Sequence, residues 1–187
     1  MIITIARQCG CAALSVGRLL ADHYNVPLYT RQTLLEKAKS KGMYDEMYDF
    51  FSEQPIDYLA MAATSQSDAT EEVRRRFARA INVIVGEEDC VIVGRCGNVL
   101  FEGRQDLFSI FLHGDREQRI RNIAAEKGID NVEAKEVVDT TDECRASYHR
   151  YYTGHTWGHA ADYLLSIDTL RLGTSLTAEI IEKTIGE

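Results

Sequence analysis

Three short segments carry residue types that could hold or move a phosphate. The first, Gln8-Cys9-Gly10-Cys11-Ala12-Ala13-Leu14-Ser15, combines a glycine with small residues at the start of a helix. Amides and dipole at a helix N-terminus suit an anion. A G-x-x-x-x-G-K-[ST] loop would add a lysine for the β/γ-phosphates and a hydroxyl for magnesium, and neither is plainly present, so a tight strand-to-helix turn also fits. The second, Gly94-Arg95-Cys96-Gly97-Asn98, sets a guanidinium where a bidentate contact to phosphate or a base edge is easy, unless Arg95 is an ordinary turn arginine. The third is a set of cations, Arg116, Arg119, Arg145 and Arg150, on two consecutive helical stretches. Converging there they would stabilise a transferring phosphoryl group; spread out they would pair with Glu117, Glu133 or Asp142.

The elements that must position these residues alternate in type. Short β-rich runs at Ile2 to Ala6, Val26 to Tyr29, Cys90 to Val93, Leu107 to Leu112 and Tyr163 to Ile167 are separated by amphipathic helical stretches. That order predicts βαβ units and a parallel sheet of five strands with helices on both faces. In such sheets ligands bind outside the carboxyl ends of the strands, where the first two segments fall. Thr30, Asp115 and Asp130 are expected helix caps, and Gly42 and Gly128 expected stops. Residues 43–67, with Pro55, many acids and five aromatic residues, read as a mobile helical insertion. The dense run Tyr148-His149-Arg150-Tyr151-Tyr152-Thr153-Gly154-His155-Thr156-Trp157-Gly158 reads as part of a hinged lid near 145–160.

Composition narrows the function. The 187 residues suit one domain spanning 1–187, and the values of 45% hydrophobic and 27% charged are globular ones. A net charge of −8 disfavours broad nucleic-acid binding while leaving room for a local basic pocket. No apolar run is long enough to span a bilayer, and the start of the chain has no secretory pattern, so a cytoplasmic protein with no membrane partner is expected. Five irregularly spaced cysteines read as free thiols, and Cys9-x-Cys11 offers too few ligands for zinc, so no metal ligands are assigned. A dinucleotide fingerprint fails because Tyr29-Thr30 ends the second strand without an acidic residue, and neither G-x-S-x-G nor H-E-x-x-H occurs.

Taken together, the segments resemble the cytidylate kinase-like family, relatives of the bacterial CMP kinases among the P-loop nucleoside-monophosphate kinases. The resemblance rests on Ile3-Thr4-Ile5-Ala6-Arg7-Gln8-x-Gly10, Pro27-Leu28-Tyr29, Val91-Ile92-Val93-Gly94-Arg95-Cys96, the helix of Arg119, and the run from Asp142-x-x-Arg145 through Tyr151-Tyr152-Thr153-Gly154-x-x-Trp157-Gly158. It implies an α/β, three-layer P-loop NTPase-like fold, with ATP and Mg2+ as donor and a nucleoside monophosphate as acceptor. By position it also implies that Gln8, Gly10, Cys11, Ala12, Ala13, Leu14 and Ser15 hold the donor phosphates. Arg31 and Arg95 would meet the acceptor, and Arg119, Arg145 and Arg150 would close around the transferring group.

The chain departs from that family at informative places. Where the family loop resembles Gly-Ser-Gly-Gly-Arg, this chain has Gly10-Cys11-Ala12-Ala13-Leu14, which loses two glycines and a cation. Alanine suits a helix start but is costly at positive φ. Thr30, His155 and Thr156 stand where the family tends to have charged residues. Losing one catalytic cation can cost about 10³ to 10⁵ in rate, unless Arg7 or Arg18 compensates. Two functions therefore stay open: an ATP-dependent phosphotransferase acting on a CMP-like monophosphate, and a nucleotide-binding regulator with a degenerate loop. The acceptor base and the oligomeric state are not specified by the sequence.

Overall fold

The structure is a computed structural model in which residues 1–45, 51 and 68–186 are described, the side chains of residues 68–71, 73 and 74 excepted. Most of the insertion expected at 43–67 lies outside the described residues. The chain runs β1 (Ile2–Arg7), α1 (Ala13–Tyr24), β2 (Leu28–Tyr29), α2 (Arg31–Ser40), α3 (Asp68–Val85), β3 (Cys90–Val93) and α4 (Gly97–Leu100). It continues through β4 (Leu107–His113), α5 (Arg116–Lys127), α6 (Asn131–Thr153), a 3₁₀ turn (Ala160–Asp162), β5 (Leu165–Asp168), α7 (Thr169–Leu172) and α8 (Thr174–Ile185).

All five strands are parallel, in the order β2-β3-β1-β4-β5. Strands covered on both faces should be apolar along their length, as β3 is throughout and β1 is apart from Thr4 and its last residue, Arg7. Ile3 and Ile5 face a cluster with Val16 and Leu20 of α1, Val91, Val93, Ile110, Leu112 and Ile181 of α8. Ile2, Cys90 and Ile92 face the opposite cluster, built from Leu34 of α2, Phe77, Ile81 and Ile84 of α3, and Phe101. The result is the three-layer α/β sandwich expected from the alternation of elements. No described helix is long and apolar enough to cross a membrane.

Local signals act as their chemistry dictates. Thr30 accepts from the Thr33 amide and caps α2, Asp115 accepts from the Gln118 amide, and Asp130 accepts from the Val132 and Glu133 amides. Gly128 ends α5 at φ +66°. Strand ends shift where other hydrogen bonds compete. The Val26 amide closes the end of α1 on Ala21 O at 3.0 Å, leaving only Leu28 and Tyr29 in β2. Tyr163 closes the 3₁₀ turn on Ala160 O, so β5 starts at Leu165. β1 runs one residue further than its apolar pattern, which makes Arg7 a strand residue opposite Leu112.

Candidate functional site

At the carboxyl end of β1 the chain makes a tight loop and enters α1. The Gln8 amide still bonds Leu112 O at 2.9 Å, and the Gln8 Oε1 accepts from the Gly114 amide at 3.2 Å. The turn is made at Gly10, φ +82°, where a Cβ would lie 2.8 Å from Arg119 O. Only glycine fits that close approach in that conformation. Ala12 also sits in the left-handed region, φ +48°, at a cost of about 1–2 kcal/mol, whereas Ala13 is the first helical residue. No side chain caps α1. The Ser15 amide bonds Ala12 O at 3.0 Å, so the amides of Ala13 and Leu14 are the first-turn groups suited to an anion beside the loop. Burial pushes the Cys11 thiol up to about 12, so it stays protonated near neutral pH. Leu14 is 39% exposed, and Ser15 is exposed on the first turn.

Behind the loop sits an ion pair. Asp142 of α6 accepts from the Cys9 amide at 2.7 Å with one carboxylate oxygen and from Arg119 Nη1 at 2.5 Å with the other. Arg119 is held by two further bonds, to Cys9 O at 3.3 Å and Gly114 O at 3.1 Å, and its side chain is only 7% exposed. Asn122 of α5 donates to Gly10 O at 3.1 Å. Arg119 thus positions the loop from behind. Arg116 pairs with Asp139, and Arg150 is exposed.

Beside the loop, at the carboxyl ends of β1 and β3, opens a cleft of about 380 Å³. Arg7, Arg31, Arg95 and Arg145 line it, and no carboxylate among the described residues does. Arg7 lies against Gly94, where a Cβ would meet its Nη1 at 2.5 Å. Arg145 donates to Arg7 O at 3.3 Å, and Arg31 donates to Phe51 O at 2.6 Å. The Arg95 guanidinium lies over the Tyr148 ring, 5.0 Å from its centroid. Arg95 and Cys96 both hold left-handed backbone, φ +57° and +56°, strain of the kind stored at functional sites. Trp157 and His149 complete the wall. His149 is 2% exposed, and burial, aided by the charge of His155, lowers its pKa to about 4.

Of the residues singled out in the sequence, the cleft brings together Arg31, Arg95 and Arg145. Gln8 to Ser15 form the adjoining loop. Arg119 lies beneath that loop, and Arg150 does not line the cleft. Sequence reasoning gave Arg7 no acceptor role and gave Asp142 and His149 none. Arg7 was recoverable, because the rule that puts Arg95 at a strand's carboxyl end applies equally to β1.

The loop suits phosphates better than it suits a protein-held magnesium ion. Mg2+ is usually bound through one or two carboxylates besides substrate phosphates. Both oxygens of Asp142 are engaged by Cys9 and Arg119, β3 ends without an acid, and the loop offers only the Ser15 hydroxyl. Among the described residues no three His, Cys, Asp or Glu side chains gather as a metal site.

Comparison with known proteins agrees with this architecture. An uncharacterized protein from Eubacterium ventriosum ATCC 27560 superposes with a TM-score of 0.76 at 25% identity, covering 99% of this chain and 98% of that one. The shikimate kinase of Bacteroides thetaiotaomicron gives a TM-score of 0.56 at 14% identity, with 99% and 98% covered. A gluconokinase from Sinorhizobium meliloti 1021 gives 0.51 at 14%, with 98% and 90% covered. The two kinases share the fold. No curated protein matches the sequence significantly. The model of the cytidylate kinase-like family matches residues 2–171, nearly the whole chain, and the chain belongs to that family.

Proposed function

We propose that the protein is a phosphotransferase that moves the γ-phosphoryl group of ATP onto a nucleoside monophosphate, CMP-like by resemblance. One observation carries this reading: four arginines line a cleft at the carboxyl ends of β1 and β3, and one of them, Arg7, leads directly into the loop before the uncapped helix α1. The acceptor's phosphate binds in the arginine cleft. The donor's phosphates lie on the amides of Gly10 to Leu14, with magnesium carried on ATP. Phosphoryl transfer demands little covalent chemistry from a protein, so two adjoining anion sites supply the main requirements, positioning and charge stabilisation. Arg145 bonds to Arg7 at the junction of the two sites and is the cation best placed for the transferring group. All five cysteines are free, which supports a reducing compartment such as the cytoplasm. The partner is a small nucleotide, since the net charge of −8 opposes a nucleic acid.

A second reading, a nucleotide-binding regulator, draws on Leu14 at the place of the family's loop cation and on the strained Ala12. A coupled assay with ATP, magnesium and each monophosphate separates the two. ADP formation that needs a monophosphate and vanishes in Arg95→Ala supports the kinase. Binding of both nucleotides without turnover supports the regulator. If neither ATP nor any monophosphate raises the melting temperature, both readings fall, because ligand at about 100 times its Kd adds roughly 2.7 kcal/mol.

A further inference from the structure

The described walls of the cleft contain a group suited to recognising an acceptor's base. His149 lies one turn beyond Arg145 on α6 and lines the same cleft, with its Nε2 buried and without a hydrogen-bond partner. Buried polar groups are ordinarily hydrogen-bonded, and each exception asks for an explanation. Trp157 stands in the same wall, its indole nearly perpendicular to the Phe111 ring with centroids 5.5 Å apart. Gly158, φ +75°, fixes that arrangement, for a Cβ there would lie 2.9 Å from the Phe111 ring. A neutral imidazole offers one donor and one acceptor and carries no charge to match a phosphate.

We infer that His149, with Trp157 as a flat apolar neighbour, reads the hydrogen-bonding edge of the acceptor's base while the arginines hold its phosphate. The inference rests on the nucleotide-acceptor reading above and adds a specificity-determining residue to it. Along α6 the functions are then ordered by helical turn: Asp142 holds the loop, Arg145 meets the junction of the two anion sites, and His149 reads the base. Burial keeps His149 neutral across the physiological range, so its role is hydrogen bonding throughout. A site built to hydrogen-bond its substrate rejects analogues that lack the group, because its own polar atoms are then left unpaired.

The test is titration calorimetry of the whole chain with CMP, UMP, AMP, GMP, ribose 5-phosphate and inorganic phosphate, alongside steady-state kinetics. The wild type is expected to bind one monophosphate at least about tenfold more tightly than ribose 5-phosphate, about 1.4 kcal/mol. His149→Phe keeps the volume and removes both nitrogens. It should weaken that monophosphate about tenfold, raise its KM with kcat within about twofold, and leave ribose 5-phosphate and phosphate unchanged. His149→Gln should recover part of the loss. If His149→Phe does not fold, His149→Gln and Trp157→Leu carry the comparison, each weakening the nucleotide selectively. Equal weakening of nucleotide and ribose 5-phosphate, or no weakening, overturns the inference while turnover leaves the kinase reading standing. If phosphate binds and no monophosphate does, the nucleotide reading fails and the inference with it.

Discussion

Asp142 and Arg119 form a nearly buried ion pair, 2.5 Å between Oδ2 and Nη1, that fastens helices α5 and α6 to the back of the loop after β1. The same carboxylate holds the Cys9 amide. Removing one partner of such a pair leaves the other charge unsatisfied, at about 3–5 kcal/mol. Asp142→Ala should therefore lose stability of that order in denaturant titration. Its affinity for ATP should fall as well, because the loop loses its anchor. Arg119→Met, Asp142→Leu together should recover much of the stability and not the affinity.

Gly10→Ala tests the close approach of loop and helix. A Cβ there meets Arg119 O at 2.8 Å in a conformation alanine resists, so about 2 kcal/mol should be lost in chemical denaturation. Ala12→Gly has the opposite sign. It relieves about 1–2 kcal/mol of left-handed strain against about 0.5–1 kcal/mol of added chain entropy, for a net gain of about 0.5–1 kcal/mol.

Leu14→Arg restores a cation on the exposed first turn of α1. A charge-assisted hydrogen bond is worth about 1.5–3 kcal/mol, so ATP affinity should rise about tenfold or more, read by calorimetry. A rise in turnover of the same order would identify the missing loop cation as the limit on rate. An unchanged ATP affinity would mean that the donor does not use this loop.

His149 makes stability depend on pH. Its folded pKa of about 4 lies below the ordinary 6.5, so the unfolded chain binds the proton more tightly. Stability is full above about pH 6.5 and falls as pH drops from there toward 4. At about 1.4 kcal/mol per pKa unit the loss approaches 3 kcal/mol. His149→Phe should flatten that part of the pH profile in thermal or urea unfolding, and an unaltered profile would assign the acid sensitivity elsewhere.

The sheet was legible because β1 and β3 are apolar almost throughout, Thr4 and Arg7 excepted, and their spacing leaves room for crossover helices. Caps at Thr30, Asp115 and Asp130 were legible because a cap is a local hydrogen bond between near neighbours. Strand ends were less so: Val26 and Tyr163 have strand-like types, but their amides are engaged by a helix end and a 3₁₀ turn. At the site, Arg95 could be found from its place after β3. The pairing of Arg119 with Asp142 under the loop depends on how two helices pack, which no spacing within either helix encodes. His149 was hidden among aromatic residues, since burial and an unpartnered nitrogen are properties of the packed state.

Helix α6 is 23 residues long, about 34 Å of continuous hydrogen-bonded backbone. Within two turns it holds the loop after β1 through Asp142 and walls the arginine cleft with Arg145 and His149. Loop anchor and cleft wall thus ride on one rigid support, so a displacement of that helix carries both together.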